Sequence, residues 1–436
     1  MNQQYARIAI IGLFVFSFSL LRSQNTIPAT LRAPAYPLVT VDPYTSAWSF
    51  SDKLYEDVVR HWTGKPQALT GAIRVDGTAY RFMGKVEPVL KTLIHTAAAK
   101  AWSGKYTFDK PADTWFTGGF DDAPWSEGKA AFGTKDMPFL RTPWETKDIW
   151  VRRAITLTQD ATNLDLYIEY SHDDNFELYF NGVKIVDTGY AWKNNVRIPL
   201  SEEAKKTIKN GENIIAAHGH NVTGGAYVDF GLFERIPGQD YLEKTAIQRS
   251  VTVTPTQTHY QFDCGAVVLN LTFTSPLLAN DLNLLSRPVN YVSYEVTSKD
   301  GKPHPVEIYF EASSDWAVDS PQQEVTAAQS TSSGLTFLKT GTKEQNVLGR
   351  KGDDVRIDWG YFYLTGNASA ATAFATGDHT LRKEFVQTGT LSKRTAASSS
   401  ADAEHSVLLA YVHSLGNVSA KATSGKIMLG SPTCSG

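Results

Sequence analysis

The sequence predicts an all-β protein made of β-sandwich units, and three observations predict it. Short alternating or β-branched runs fill the chain beyond its amino-terminal segment, with almost no sustained 3.6-residue periodicity. Gly, Asn, Asp and Pro punctuate those runs, including the hairpin signals Asp76-Gly77 and Asn181-Gly182. Core formers are plentiful: 42% of the 436 residues are hydrophobic and 11% aromatic, too many for a chain that fails to collapse. At roughly 100–200 residues per domain, the length suggests two or three domains.

The elements follow in chain order. Arg7 precedes an apolar run from Ile8 to Phe16, broken by Ser17 and Ser19 and ending at Leu20-Leu21 before the small Ser23. This reads as a secretory signal over residues 1–23, shorter than the ~20 apolar residues of a membrane-spanning helix. No Cys follows the run, so a lipoprotein signal is not expected, and a mature chain starting near Gln24 is expected to be secreted or periplasmic. Strands are expected at Ala72–Val75 and Tyr80–Met83 around Asp76-Gly77, then at Leu164–Tyr170, Phe176–Phe180 and Val183–Val186 around Asn181-Gly182. Both dipeptides suit the type I′ turn, which needs positive φ at its two central residues. Further strands are read at Ile214–Gly219, Tyr227–Phe233, Val251–Val253, Val267–Phe273, Tyr291–Thr297, Val306–Glu311 and Tyr361–Leu364. One helix is expected, from the capping Ser201 through Glu202 and Glu203 at the positive end of its dipole to Lys209, stopped by Asn210-Gly211. The Ser/Thr/Ala-rich stretches 326–334 and 395–403 read as mobile loops.

Composition and turn density divide the mature chain into a β head (24–100), a Trp-, Asp- and Gly-rich unit (101–236), a second β unit (237–430) and an atypical tail (431–436). A net charge of −3 leaves no basic surplus for nucleic acid. Two cysteines make neither a disulfide scaffold nor a multi-Cys zinc site; Cys264 is read as a buried thiol, with pairing to Cys434 the alternative in an oxidising compartment.

Catalytic patterns are missing. There is no G-x-S-x-G elbow and no Cys/His arrangement, and adjacent Asp353-Asp354 would point to opposite faces of a strand rather than face each other across a glycosidic bond. No catalytic residue and no cofactor are assigned. His218 and His220 alternate on a strand and share a face, but no third metal ligand stands at a matching spacing, so they are read as hydrogen-bonded structural histidines. A sugar site needs aromatic faces beside carboxylates or amides, and Trp125, Asp173, Asp174, Tyr190 and Trp192 supply those types. The same types also make ordinary sandwich core and rim.

Two resemblances sharpen the reading. The passage from Asp173 through Gly182, with Gly211 to Asn221 and Gly224 to Leu232 after it, resembles the galactose-binding-like jelly-roll modules of exported glycoside hydrolases such as β-galactosidases. That resemblance implies a sandwich that binds sugar or braces its neighbours. The head, with Asp42-Pro43-Tyr44, Arg60-His61-Trp62 and Leu69 to Gly84, is similar to the start of glutaminase A-like secreted proteins. So are Ser250 to Thr258, Leu284 to Val289, Ser314 to Val318 and Gly352 to Tyr361 in the last unit. The resemblance implies that 101–236 is an insertion, and that the β region precedes an α/α-toroid catalytic domain whose reacting residues have no positions in this chain. The expected function is therefore an exported, non-catalytic β region of a glutaminase A-like hydrolase, cut short before that domain, with 431–436 an off-frame tail. The alternatives are a carbohydrate-binding module of a glycan-degrading system and an active amidase or glycosidase. Expected partners are a carbohydrate ligand and the α-helical domain, with Trp48, His61 and Trp62 as candidate interface residues. An exposed apolar patch on the head or last unit would mark the docking surface.

Overall fold

The computed structural model describes residues 32–431 except 87, 138, 158–163, 238–240, 321–322, 351–354 and 399–406. The amino-terminal apolar run, Asp353-Asp354 and Cys434 lie outside the described residues. The strands all fall within Ala35–Gly436 and form sheets of three, six, six, nine and five strands, an all-β architecture. No helix among the described residues is long and apolar enough to cross a membrane.

Both hairpins turn at the expected dipeptides. Leu69–Val75 and Thr78–Met83 join through Asp76 (φ 50°) and Gly77 (φ 82°), and Asn175–Phe180 and Val183–Tyr190 through Asn181 (φ 46°) and Gly182 (φ 92°). Left-handed conformations at both positions give the I′ turn, whose twist matches the strands it joins.

Two six-stranded sheets carry the middle of the chain. One runs Val183–Tyr190, Asn175–Phe180, Gly211–His220, Asp148–Leu157, Ser103–Thr107, Ser126–Lys129. The other runs Thr142–Pro143, Phe132–Gly133, Tyr227–Arg235, Leu166–Asp173, Lys193–Pro199, and Leu90–Ile94 also pairs with Tyr227–Arg235. Alternate residues of each sheet meet in one core: Val151, Phe176, Leu178 and Ile215 from the first, Ile168, Tyr170, Phe230 and Leu232 from the second.

The nine-stranded sheet runs Ile247–Thr254, Gln257–Cys264, Val267–Thr274, Val289–Ser298, Thr423–Gly430, Phe362–Asn367, Leu335–Thr342, Val325–Ser332, Ala396–Ser398. The five-stranded sheet runs Thr372–Gly377, Leu408–Val418, His304–Ser313, Leu69–Val75, Thr78–Met83. Head and last unit thus share a sheet, since Leu69–Val75 pairs residue by residue with Val306–Ala312. Phe82 packs against Phe262 of the large sheet (5.7 Å) and Phe310 of its own (5.6 Å), while Tyr294 meets Phe310 at 5.6 Å. Gly71 makes room for this contact, because a Cβ there would sit 2.3 Å from the Phe82 ring.

Three expectations are corrected. The helix expected over Ser201–Lys209 is one turn, Glu202–Lys205, capped by Ser201 through a bond from the Ala204 amide (3.2 Å). The longest helix among the described residues, Thr380–Thr388, was not expected; it buries Leu381 and Phe385 on the small sheet, with Phe385 stacked on Tyr309 at 4.9 Å. The stretch 326–334 is strand rather than loop: it supplies most of Val325–Ser332 and the turn at Ser333-Gly334, and Ala396–Ser398 is a short edge strand beside it. At a sheet edge with one wet face, Thr and Ser satisfy the pleat without an apolar repeat. Cys264 is buried with no disulfide partner among the described residues, and burial pushes its pKa up.

Candidate functional site

Four of the five sequence-predicted ligand residues converge where the chain crosses between the two six-stranded sheets. Asp173 ends one strand, Asp174 alone makes the crossing with φ 62°, and Asn175 opens the next strand opposite Tyr190. Asp tolerates the left-handed region better than most side chains because it bonds locally. The buried Asp174 carboxylate accepts from the Thr223 amide (2.9 Å) and the Val222 amide (2.5 Å), and its carbonyl accepts from the Ala191 amide (3.4 Å). His172 Nδ1 lies 3.0 Å from the same carbonyl, and its ring stacks on Phe176 at 4.7 Å. Asp174 therefore pins the loops at 190–192 and 221–223 into one end.

Asp173 is half-buried. Burial, helped by the neighbouring Asp174 and Asp136 charges, outweighs the bond from the Asp174 amide and pushes its carboxyl up. Asp136, by contrast, is held low, first by the Thr134 hydroxyl. Both carboxylates close around Gly225, where a Cβ would stand 3.1 Å from Asp173 Oδ2, 3.7 Å from Asp136 Oδ2 and 2.0 Å from Met137 Cε. Glycine leaves room for this approach, since a Cβ there would have to displace the Met137 methyl. Tyr190 and Trp192, 66% and 54% exposed, flank this end. Asp136 was not read from the sequence, since nothing local ties it to a residue 37 positions later.

Trp125 is not part of this group. It packs edge-on against Phe120 (5.6 Å) in a second cluster with Trp115, Trp150 and Tyr179, on the outer face of the first six-stranded sheet. His218 and His220 share that face and a single acceptor: Asp148 Oδ1 lies 2.9 Å from His218 Nε2 and 2.8 Å from His220 Nδ1. Burial works against the Asp148 charge, but the bonds from His220 and His218 outweigh it and hold the carboxyl low. His218 also stacks on Trp150 at 4.7 Å and faces Glu177 at 3.5 Å. Among the described residues, no group of three or more side chains is placed to hold a metal ion.

Fold and sites together define a multi-sheet β-sandwich protein with an acid-and-aromatic loop end. Comparisons with known proteins add partial matches. A family described as a domain of unknown function, DUF5127, matches residues 256–432, and a second, DUF4964, matches residues 18–95. Glutaminase A of Aspergillus oryzae is 25% identical over 183 residues, which span 41% of this chain and 26% of that protein. The chain thus aligns with about a quarter of a much longer relative. Among solved structures, an uncultured Clostridium sp. β-glucuronidase aligns over 52% of this chain and 44% of that chain, at 10% identity and a TM-score of 0.24. A Bacteroides uniformis β-glucuronidase aligns over 66% and 33%, at 10% identity and a TM-score of 0.26. Both scores are too low to define a common fold.

Proposed function

We propose that this chain is the exported, non-catalytic β region of a glutaminase A-like hydrolase, and that it braces an α-helical catalytic domain. The observation that carries the reading is a bare apolar edge on the last unit. Between Val267–Thr274 and Val289–Ser298 the chain exposes Leu277, Leu278, Leu282, Leu284 and Leu285, with Leu282 75% exposed. The single helical turn Leu282–Leu285, capped by Asp281 through the Leu284 amide (3.1 Å), buries none of its residues. A soluble monomer rarely leaves such a surface uncovered.

Neighbouring elements extend the edge. Ser275 and Asn290, which bracket the leucine segment, both bond Thr40 of the head (2.8 Å between Oγ atoms, and 3.3 Å from the Thr40 amide). Beyond Thr40 stand the exposed Tyr44 and Trp62, the latter tied by its indole to the Pro43 carbonyl (2.7 Å). Of the other head residues expected at an interface, His61 is buried and bonded to the same carbonyl (2.8 Å), so it belongs to the core. The last strand reaches the same edge, where Gly430 pairs with Val289. The Glutaminase A match supports the reading in kind, because the aligned part of that protein is accompanied by much more chain.

The test is ammonia release from L-glutamine by residues 24–436 alone and by the same residues joined to the reading frame that follows. Release only by the extended form is expected; release by the shorter form, or a locus without such a frame, overturns the proposal. A second reading, a carbohydrate-binding module, draws on the convergence of Asp173, Tyr190 and Trp192. It expects saccharide affinity that Trp192→Ala removes.

A further inference from the structure

The outer face of the nine-stranded sheet carries a polar groove of about 540 Å³ that no role yet described uses. Register builds it. Asn270, Glu295 and Ser424 stand opposite one another across three strands, and Thr272, Ser293 and Lys426 form the next row. Their neighbours in sequence, Leu269, Leu271, Val292, Tyr294 and Ile427, point into the core, so period-2 alternation sends all six side chains outward. With strands ~4.8 Å apart, each row of three spans roughly 10 Å.

The groove is open because the neighbouring strand stops pairing. Phe362–Asn367 bonds Thr423–Gly430 only at Met428–Gly430, leaving Ser424–Lys426 facing a gap that Asn367 closes on the far side. Gly425 forms part of the floor, since a Cβ there would lie 2.4 Å from the Tyr294 hydroxyl. That hydroxyl is held from below by Tyr411 (3.1 Å) and His413 Nδ1 (2.7 Å).

We infer that this groove is a saccharide-binding site. Its lining is amide, hydroxyl, one carboxylate and one ammonium, with no surplus of either charge and no large exposed apolar side chain, which suits neither a polyanion nor an apolar protein surface. Neutral ligands rich in neighbouring hydroxyls match it: Glu295 accepts, Lys426 donates, and Asn270 does both. Among the described residues neither Glu295 nor Lys426 is in an ion pair, and the Lys426 ammonium lies over the Tyr291 ring. Tyr291 stands in the adjoining row, 5.6 Å from Lys426 Nζ, and offers a ring face beside the polar rows.

The experiment is calorimetric titration of the purified chain with xylotriose, cellotriose, maltotriose and galactobiose, repeated on Glu295→Gln, Lys426→Met and Trp192→Ala. At least one saccharide binds, and Glu295→Gln and Lys426→Met each weaken it by about tenfold, the loss of one charge-assisted bond; Trp192→Ala reads out binding at the other sandwich. Glu295 and Lys426 are exposed, so both variants melt at the parental temperature. The inference is overturned if none of the four binds, if the two groove variants bind like the parent, or if Trp192→Ala abolishes binding. That last outcome places the ligand at the other sandwich instead.

Discussion

Two fully buried ionisable side chains in the middle sandwich pull stability in opposite directions as pH falls. His172 stacks on Phe176 inside the core, and burial pushes its pKa down to about 4. Its folded value lies below the unfolded one, so its contribution is complete above about pH 6.5 and is lost as pH falls toward 4. Asp229 accepts from the Ala97 amide (2.7 Å) and the Trp102 indole (3.0 Å), yet burial pushes it up to about 6. Its folded value lies above the unfolded one, so the folded state gains as pH falls through 6 toward 3.8. The two offset each other in the parent. His172→Phe keeps the apolar ring and removes the first contribution, so stability relative to the parent rises by about 2–3 kcal/mol between pH 7 and pH 4.5. Urea unfolding at the two pH values measures this; equal pH slopes for variant and parent would remove His172 as a source. Neither effect was legible in the sequence, where His172 is one of ten histidines and Asp229 one of many strand residues.

Single elements show why some assignments succeeded and others did not. Hairpins at Asp76-Gly77 and Asn181-Gly182 were legible because positive φ is a local demand that few residues meet. Helix Thr380–Thr388 was not, because its buried face is little more than Leu381 and Phe385, too short a stripe to read as periodic. Gly389, left-handed at φ 75° just past its end, was the available signal. The sheet supplies the missing stabilisation: Phe385 is fully buried in a cluster with Tyr309, Leu381 and Leu408. Phe385→Ala is expected to cost about 3–5 kcal/mol in denaturant unfolding, whereas a cost under about 1 kcal/mol would mean that the helix is a loosely held cover.

At the scale of the molecule, sheet membership sets which stretches can fold together. Leu90–Ile94 precedes residue 100 yet pairs with Leu232–Arg235, and Leu93, Ile94 and Ala97 pack on the middle core. A fragment spanning 88–236 is expected to melt cooperatively, while 101–236 lacks that strand and the Ala97 amide that Asp229 accepts from. Thermal circular dichroism compares them; equal melting temperatures would show that the added strand contributes nothing. The head hairpin has the complementary dependence, since Leu69–Val75 is a central strand between Thr78–Met83 and His304–Ser313.

The sequence by itself determined the all-β class, the two I′ hairpins, most strand positions and the residue types of the loop end, because each follows from alternation or from a residue's own backbone preference. Only the tertiary structure decided that the 190–192 turn lies against Asp174 and Asn175 while Trp125 packs elsewhere, that Asp136 joins Asp173 around Gly225, and that residues from three strands line up into a groove. Those are facts of strand order and register, and pairing between distant segments is fixed by which faces bury together rather than by any neighbour in the chain.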